Sequence, residues 1–134
     1  MNTCTSQRKY LTKVVQLMSN YQDSALSSEQ KANRNLALNY LQEYADRWLY
    51  ASDDDQERTP IFKNGKGVYC ALGYLLVRTG YKKYADKIVN DNNYIDIEEI
   101  ENFNLSDIGK WTLQYGIDRS EAIIIQRYAP RRGE

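Results

Sequence analysis

Thr59–Gly80 reads TPIFKNGKGVYCALGYLLVRTG and is the segment around which the rest of the chain is organised. Its hydrophobic period changes at Gly67. Two short extended runs, Ile61-Phe62-Lys63 and Gly67-Val68-Tyr69, flank Asn64-Gly65, a pair that favours a two-residue hairpin turn. After Gly67, apolar residues follow helical spacing as far as Gly80, a residue type favoured just past a helix C-terminus. We therefore predict a small β-hairpin that leads into a buried helix and leans on other helices, because an isolated ribbon is unstable in water.

The rest of the chain predicts amphipathic helices joined by short polar segments. Residues 7–22 carry an apolar stripe, and Ser27-x-x-Gln30 is a capping box that begins a second helix. Further helices are predicted at residues 81–89, from Ser106 to Gly116, and from Asp118-x-x-Glu121 to Pro130, whereas residues 94–103 fit either a strand or a helix. The predicted fold is mainly α, a compact bundle of five or six helices with one small β-hairpin. It forms a single helical domain over residues 1–134, with 1–5 and 131–134 frayed.

Composition limits the classes of partner. The 18 basic and 18 acidic residues cancel, which argues against a dedicated non-specific nucleic-acid binder. No apolar run reaches the roughly 20 residues of a membrane span, so we expect no membrane partner. No basic-then-apolar leader is present, which favours the cytoplasm for the chain as given and export if a leader has been removed. Oligomeric state, and whether Cys4 pairs with Cys70, stay open.

The chain contains no histidine. This excludes Ser-His-Asp hydrolysis and histidine-ligated metals, and two cysteines cannot complete a zinc site, so no cofactor and no metal are expected. Cys70 lies near a predicted helix start, where the helix dipole would lower its pKa, but its apolar neighbours favour a core residue. The carboxylates within residues 96–101 are interpreted as a solvated acidic face. We favour a protein with no catalytic residues, and a histidine-free enzyme using Cys70 or the 96–101 carboxylates is an alternative.

Charge is segregated along the chain. Residues 58–87 hold seven basic groups against Asp86, a net charge of +6, and residues 88–109 hold six acids and no base, a net charge of −6. The simplest interpretation is that the two segments neutralise each other within the fold. The functional interpretation is a basic, tyrosine-containing surface that recognises a protein partner. The residues predicted to form it are Arg58, Lys63, Lys66, Tyr69, Arg78, Tyr81, Lys82 and Lys83.

Residues 111–128, WTLQYGIDRSEAIIIQRY, have the outline of a helix-turn-helix centred on a glycine. The second helix would offer Arg119, Ser120, Gln126 and Arg127 to a DNA major groove. Two isoleucines at 123 and 124 would point outward as well, which suits a core or a protein interface better. DNA binding is therefore an alternative function, and nucleic acid ranks below protein as a partner.

One family resemblance rests on an ordered set of residues in the second half of the chain. The set is Pro60-Ile61-Phe62, Gly67-x-x-Cys70-Ala71-x-Gly73-Tyr74-Leu75, Trp111, Gly116-Ile117, Glu121-Ala122 and Ile125-Gln126-x-Tyr128. It resembles a group of small uncharacterised bacterial proteins, often exported, with a Cys-Ala-x-Gly-Tyr-Leu core and an Ile-Gln-x-x-Tyr end. Arg127 stands where that group tends to have proline. The resemblance implies a fold and a compartment, and it implies no activity.

Overall fold

The computed structural model describes residues 3–21, 23–51 and 61–127, and within these ranges the protein is mainly α, as predicted. The segment 94–103, which fitted either a strand or a helix, contains a 3₁₀ turn at Ile97–Glu99, and a second 3₁₀ turn at Phe103–Leu105 begins at its last residue. Arg58, Pro130 and the predicted frayed end at 131–134 lie outside the described residues. The α-helices of the described ranges are α1 (Thr3–Asn20), α2 (Ser28–Asp46), α3 (Ala71–Arg78), α4 (Lys82–Asn92), α5 (Asp107–Gln114) and α6 (Arg119–Gln126).

Local capping signals set most of the helix ends. Both predicted capping boxes form, with Ser27 before α2 and Asp118 before α6, and the Ser106 hydroxyl accepts a backbone N–H at the start of α5. Gly80 and Gly116 take the left-handed backbone conformation after α3 and α5, with φ of 93° and 62°. These ends form as predicted because each depends on contacts within a few residues.

The predicted β-hairpin is wrong. Within the described residues, the extended segment contains only an isolated antiparallel bridge between Lys63 and Tyr69. The turn does not use positive φ at Asn64-Gly65. Instead the Asn64 side chain accepts N–H groups within the loop, and Gly67 takes the positive φ of 84°.

Side chains close both edges of this bridge, which explains why no ribbon extends from it. The Asn93 amide accepts from Lys63 N at 2.9 Å and donates to Lys63 O at 2.8 Å, so it occupies the position of a neighbouring strand. On the other side, the Tyr44 hydroxyl donates to Tyr69 O at 2.6 Å. The backbone groups that a longer sheet would use are thus satisfied by residues from α2 and from the end of α4.

The core lies where the opening segment predicts it. Helix α3 packs against α2, α4 and α6, and its Leu72, Leu75 and Leu76 are fully buried. Helix α1 packs on the outer side of this group, against α2 and α6. In the described part of the chain, no helix has the length and apolar character needed to cross a bilayer.

A buried arginine joins the first two helices to the last two, and sequence patterns did not reveal it. Arg34 on α2 donates to both carboxylate oxygens of Glu121 on α6, at 2.8 and 2.6 Å. The same guanidinium donates to Met18 O at the end of α1 and to Gly116 O in the α5–α6 turn, at 3.0 and 2.6 Å. The hydrogen bonds with Glu121 raise the pKa of Arg34 above its usual value, so the cation is fixed. One side chain therefore holds α1, α2, α5 and α6 together.

Candidate interaction surface

The surface of α3 that faces away from the core is flanked by α2 on one side and α4 on the other. On the α2 side, Arg78 pairs with Glu43 through Nε at 2.9 Å, and the Tyr74 hydroxyl donates to the same carboxylate. The Arg47 guanidinium lies over the Tyr74 ring, 4.6 Å from its centroid. These four residues, which we call the α2-side unit, contain two cations, one tyrosine and one carboxylate.

A second group of the same composition lies on the α4 side. The Tyr69 hydroxyl and the Lys82 ammonium both donate to Asp86, each at 2.6 Å, and Lys63 lies over the Tyr69 ring at 4.9 Å. We call Lys63, Tyr69, Lys82 and Asp86 the α4-side unit. Both units therefore place a tyrosine between one cation on its ring face and one carboxylate on its hydroxyl.

Electrostatics follow from this arrangement. Hydrogen bonds from Arg78 and then Tyr74 hold the pKa of Glu43 below its usual value, and Lys82 and then Tyr69 do the same for Asp86. Partial burial and the Asp86 hydrogen bond raise the pKa of Tyr69 to about 12, so its hydroxyl stays a donor. At neutral pH each unit consequently carries two positive charges and one negative charge.

The residues predicted from sequence divide among these units and their surroundings. Lys63, Tyr69 and Lys82 come together in the α4-side unit, and Arg78 belongs to the α2-side unit. Lys66 and Lys83 are exposed nearby in sequence, and Arg58 lies outside the described residues. Tyr81 packs on Tyr84 and Tyr115 and donates to Gln114, so it belongs to the α4–α5 contact.

Sequence reasoning missed Glu43, Arg47 and Tyr74 as surface residues. Arg47, the C-cap residue of α2, follows Glu43 by four positions, the spacing of neighbouring side chains on one helix face, and this signal was available. Their tyrosine partner comes from α3 and could not be assigned without the packing of the two helices.

The two charged segments neutralise each other only in part. Among the described ion pairs, Lys87 joins Asp107 across the two segments at 3.7 Å, whereas Arg78 pairs with Glu43 of α2 and Lys82 with Asp86 of its own segment. The acidic segment uses Glu98 to pair with Arg127. Among the described residues, the two segments therefore share one ion pair, Lys87–Asp107.

Cys70 is a core residue. It is 2% exposed, its Sγ accepts the Gly73 N–H at 3.4 Å as the cap of α3, and burial raises its pKa to about 11. The predicted lowering of this pKa by the helix dipole is wrong, because loss of solvation outweighs the local N–H groups.

The 96–101 carboxylates do not converge. Asp96 accepts the Glu98 N–H in a 3₁₀ turn, and Glu98 pairs with Arg127. Within residues 3–21, 23–51 and 61–127, no three acidic or thiol side chains gather as a metal site would need.

The α6 residues predicted for DNA contact are engaged within the protein. Gln126 is buried and bonds to the backbone of the first 3₁₀ turn, accepting from Ile97 N at 2.9 Å. Arg119 donates to the carbonyls of Glu98 and Ile100 at 2.7 and 3.0 Å. Ser120 donates to Asp118 at 2.7 Å. Acidic residues of the 96–101 segment thus lie against α6, where they would repel a phosphate backbone.

Two adjoining clefts lie beside the connection between α1 and α2, with volumes of about 430 and 240 Å³. They share Tyr21, Asp23, Leu26 and Arg34 in their walls. Arg34 lines both clefts, but its guanidinium is already bonded to Glu121 and to two backbone carbonyls, so it has no evident role in binding a ligand there.

Comparison with known proteins gives no relative: no family model matches the chain, and neither the curated proteins nor the solved structures provide a match. The resemblance to small bacterial proteins stays a prediction.

Proposed function

We propose that this protein is a binding domain without a catalytic role, and that it recognises a protein partner through the surface around α3. The observation that carries the proposal is the pair of cation–tyrosine–carboxylate units that flank this helix. Together with Lys83, their cations number five against the two carboxylates Glu43 and Asp86, a net charge among these residues of 5 − 2 = +3.

Three physical properties favour protein recognition here. Tyrosine and arginine are the residue types that most often dominate binding energy at protein interfaces. In both units the tyrosine is held by a cation over its ring and by a hydrogen bond from its hydroxyl before any partner arrives, so little side-chain entropy remains to be lost on binding. The net positive charge of the two units would accelerate encounter with an acidic partner.

Capture with matched charge-reversal variants tests the proposal. The surface variant is Lys63→Glu/Lys83→Glu, and the control is Lys9→Glu/Lys13→Glu on α1, which makes the same change in net charge away from α3. Proteins retained from the source cell by the wild type are identified by mass spectrometry, purified and titrated by calorimetry. We expect the surface variant to weaken binding at least about tenfold and the control less than about twofold. Equal loss in both variants, or no loss in either, would refute the assignment of this surface.

DNA binding through residues 111–128 ranks lower because Gln126 is buried and Arg127 faces Glu98. It predicts affinity for duplex DNA that falls steeply with salt and weakens in Arg127→Ala. A histidine-free enzyme ranks lower still, since its thiol is buried with a raised pKa.

A further inference from the structure

We infer that the partner is bound through an acidic peptide segment, which delivers one carboxylate to the α2-side unit and a second carboxylate to the α4-side unit. This inference rests on the proposed function and specifies its partner chemistry. It would give the surface a specificity for two spaced acids instead of a general attraction for negative charge.

Charge balance within each unit supports the inference. Glu43 bonds directly to Arg78 and Tyr74, whereas Arg47 lies over the tyrosine ring and acts on Glu43 only through a weaker Coulombic attraction. A guanidinium stacked on an aromatic ring keeps its in-plane N–H donors directed outward, the geometry that binds a carboxylate in a bidentate manner. Each unit therefore has one cation more than its own carboxylate neutralises.

The same composition recurs in the α4-side unit with lysine in place of arginine. Asp86 bonds directly to Lys82 and Tyr69, and Lys63 lies over the Tyr69 ring. Lysine binds a carboxylate as a point charge. We therefore expect the α4-side unit to attract a partner carboxylate about as strongly as the α2-side unit does, but to fix its orientation less. Each unit thus has one excess positive charge, so the two units together can bind two separate carboxylates.

The position of the units fixes the approximate spacing of those acids. Helix α3 contacts both α2 and α4, and we take the width of one helix with its side chains, about 10–12 Å, as the separation of the two units. An extended peptide advances about 3.3 Å per residue, so about three or four residues separate two carboxylates at that distance.

A nucleic acid fits this surface less well. Single strands bind through bases stacked on open aromatic faces, and Tyr40, Tyr69 and Tyr74 each already carry a cation over the ring. Glu43 and Asp86 interrupt the positive surface, whereas phosphate backbones need a continuous basic track. A peptide that places single acids between these carboxylates avoids that repulsion.

Synthetic peptides provide the test. The probe is a Gly/Ser peptide with two glutamates four positions apart, compared with the same peptide carrying glutamines and with one whose glutamates are adjacent. Protein variants are Arg47→Gln and Lys63→Gln, their combination, and Lys13→Gln on α1 as a matched loss of one charge. Circular dichroism confirms folding; Arg78→Gln replaces Arg47→Gln, and Lys82→Gln replaces Lys63→Gln, where the first variant does not fold.

We expect measurable binding of the spaced diacid at low salt, at least about fivefold weaker binding of both control peptides, and a similar loss in each single variant. The double variant should lose both contributions, and Lys13→Gln should match the wild type. Equal affinity for the spaced and adjacent diacids, or unchanged affinity in Arg47→Gln and Lys63→Gln, would overturn the inference. Tighter binding of a 12-nucleotide single strand than of the spaced diacid would overturn it in favour of nucleic acid. If a captured partner is lost from Lys63→Glu/Lys83→Glu but bound normally by Arg47→Gln and Lys63→Gln, the proposed function stands and this inference falls.

Discussion

Replacing Arg34 with methionine should destabilise the protein more than replacing any other single arginine or lysine described above. Methionine keeps much of the side-chain volume and removes the charge and the donors. The Arg34 and Glu121 side chains are only 7% and 13% exposed, so the remaining carboxylate would lose its partner in a largely dry environment. The carbonyls of Met18 and Gly116 would lose a donor as well.

The expected magnitude follows from burial. Breaking one partner of a buried ion pair typically costs about 3–5 kcal/mol, whereas an exposed pair contributes about 0.2–1 kcal/mol. The Arg78–Glu43 pair is the internal comparison, since its side chains are 41% and 43% exposed. For a chain of this length the unfolding entropy is about 0.28 kcal/mol per kelvin, so Arg34→Met should lower Tm by roughly 10–18 °C and Arg78→Met by less than about 4 °C.

Urea denaturation of Arg34→Met, Glu121→Gln and the double variant gives the coupling between the two residues. We expect a coupling energy of about 1–3 kcal/mol, because each single variant leaves its partner unpaired. A free energy of unfolding for Arg34→Met within about 1 kcal/mol of that for Arg78→Met would refute the claim that Arg34 holds the first two and the last two helices together.

Other predictions concern backbone contacts and the buried thiol. Gly109→Ala places a Cβ 1.8 Å from Phe103 O and should lower the free energy of unfolding by about 3 kcal/mol, whereas Gly65→Ala meets no atom within 4 Å and should change it by less than about 1 kcal/mol in urea titrations. Cys70 has a folded pKa of about 11 against an ordinary value of 9.0, so the unfolded thiol ionises first as pH rises. The contribution of the Cys70 thiol to the free energy of unfolding should be fully present below pH 9 and fall by up to about 2.7 kcal/mol as pH approaches 11. The free energy of unfolding should therefore decrease less steeply with rising pH in Cys70→Ala than in the wild type. Asn93→Ala removes two hydrogen bonds to the 61–69 segment and should speed amide exchange there while leaving α2 protected; uniform acceleration would contradict the edge role assigned to Asn93.

The candidate surface was only partly predictable from the sequence. Charge segregation indicated a basic region, and Lys63, Tyr69 and Lys82 do lie together in the structure. Of the α2-side unit only Arg78 was predicted, because no sequence pattern singled out Glu43, Arg47 or Tyr74 as surface residues. The role of Arg47 depends on Tyr74, which reaches it from another helix.

The predicted hairpin shows where local signals stop being sufficient. Asn64-Gly65 is a good turn pair, but a strand also needs partners for its outward backbone groups. Those partners turned out to be side chains of Asn93 and Tyr44, remote in sequence, so the ribbon stops after one bridge.

The sequence by itself determined the helices, their caps at Ser27, Ser106 and Asp118, and the central position of α3, because capping and hydrophobic periodicity act over a few residues. Only the tertiary structure decided which charges pair, since Arg34 meets Glu121 and Arg78 meets Glu43 across 87 and 35 positions of chain. Such pairing is set by how helices pack, and sequence distance carries no information about it. The burial that came with the same packing also raised the pKa of the Cys70 thiol, against the expectation from its place at a helix start.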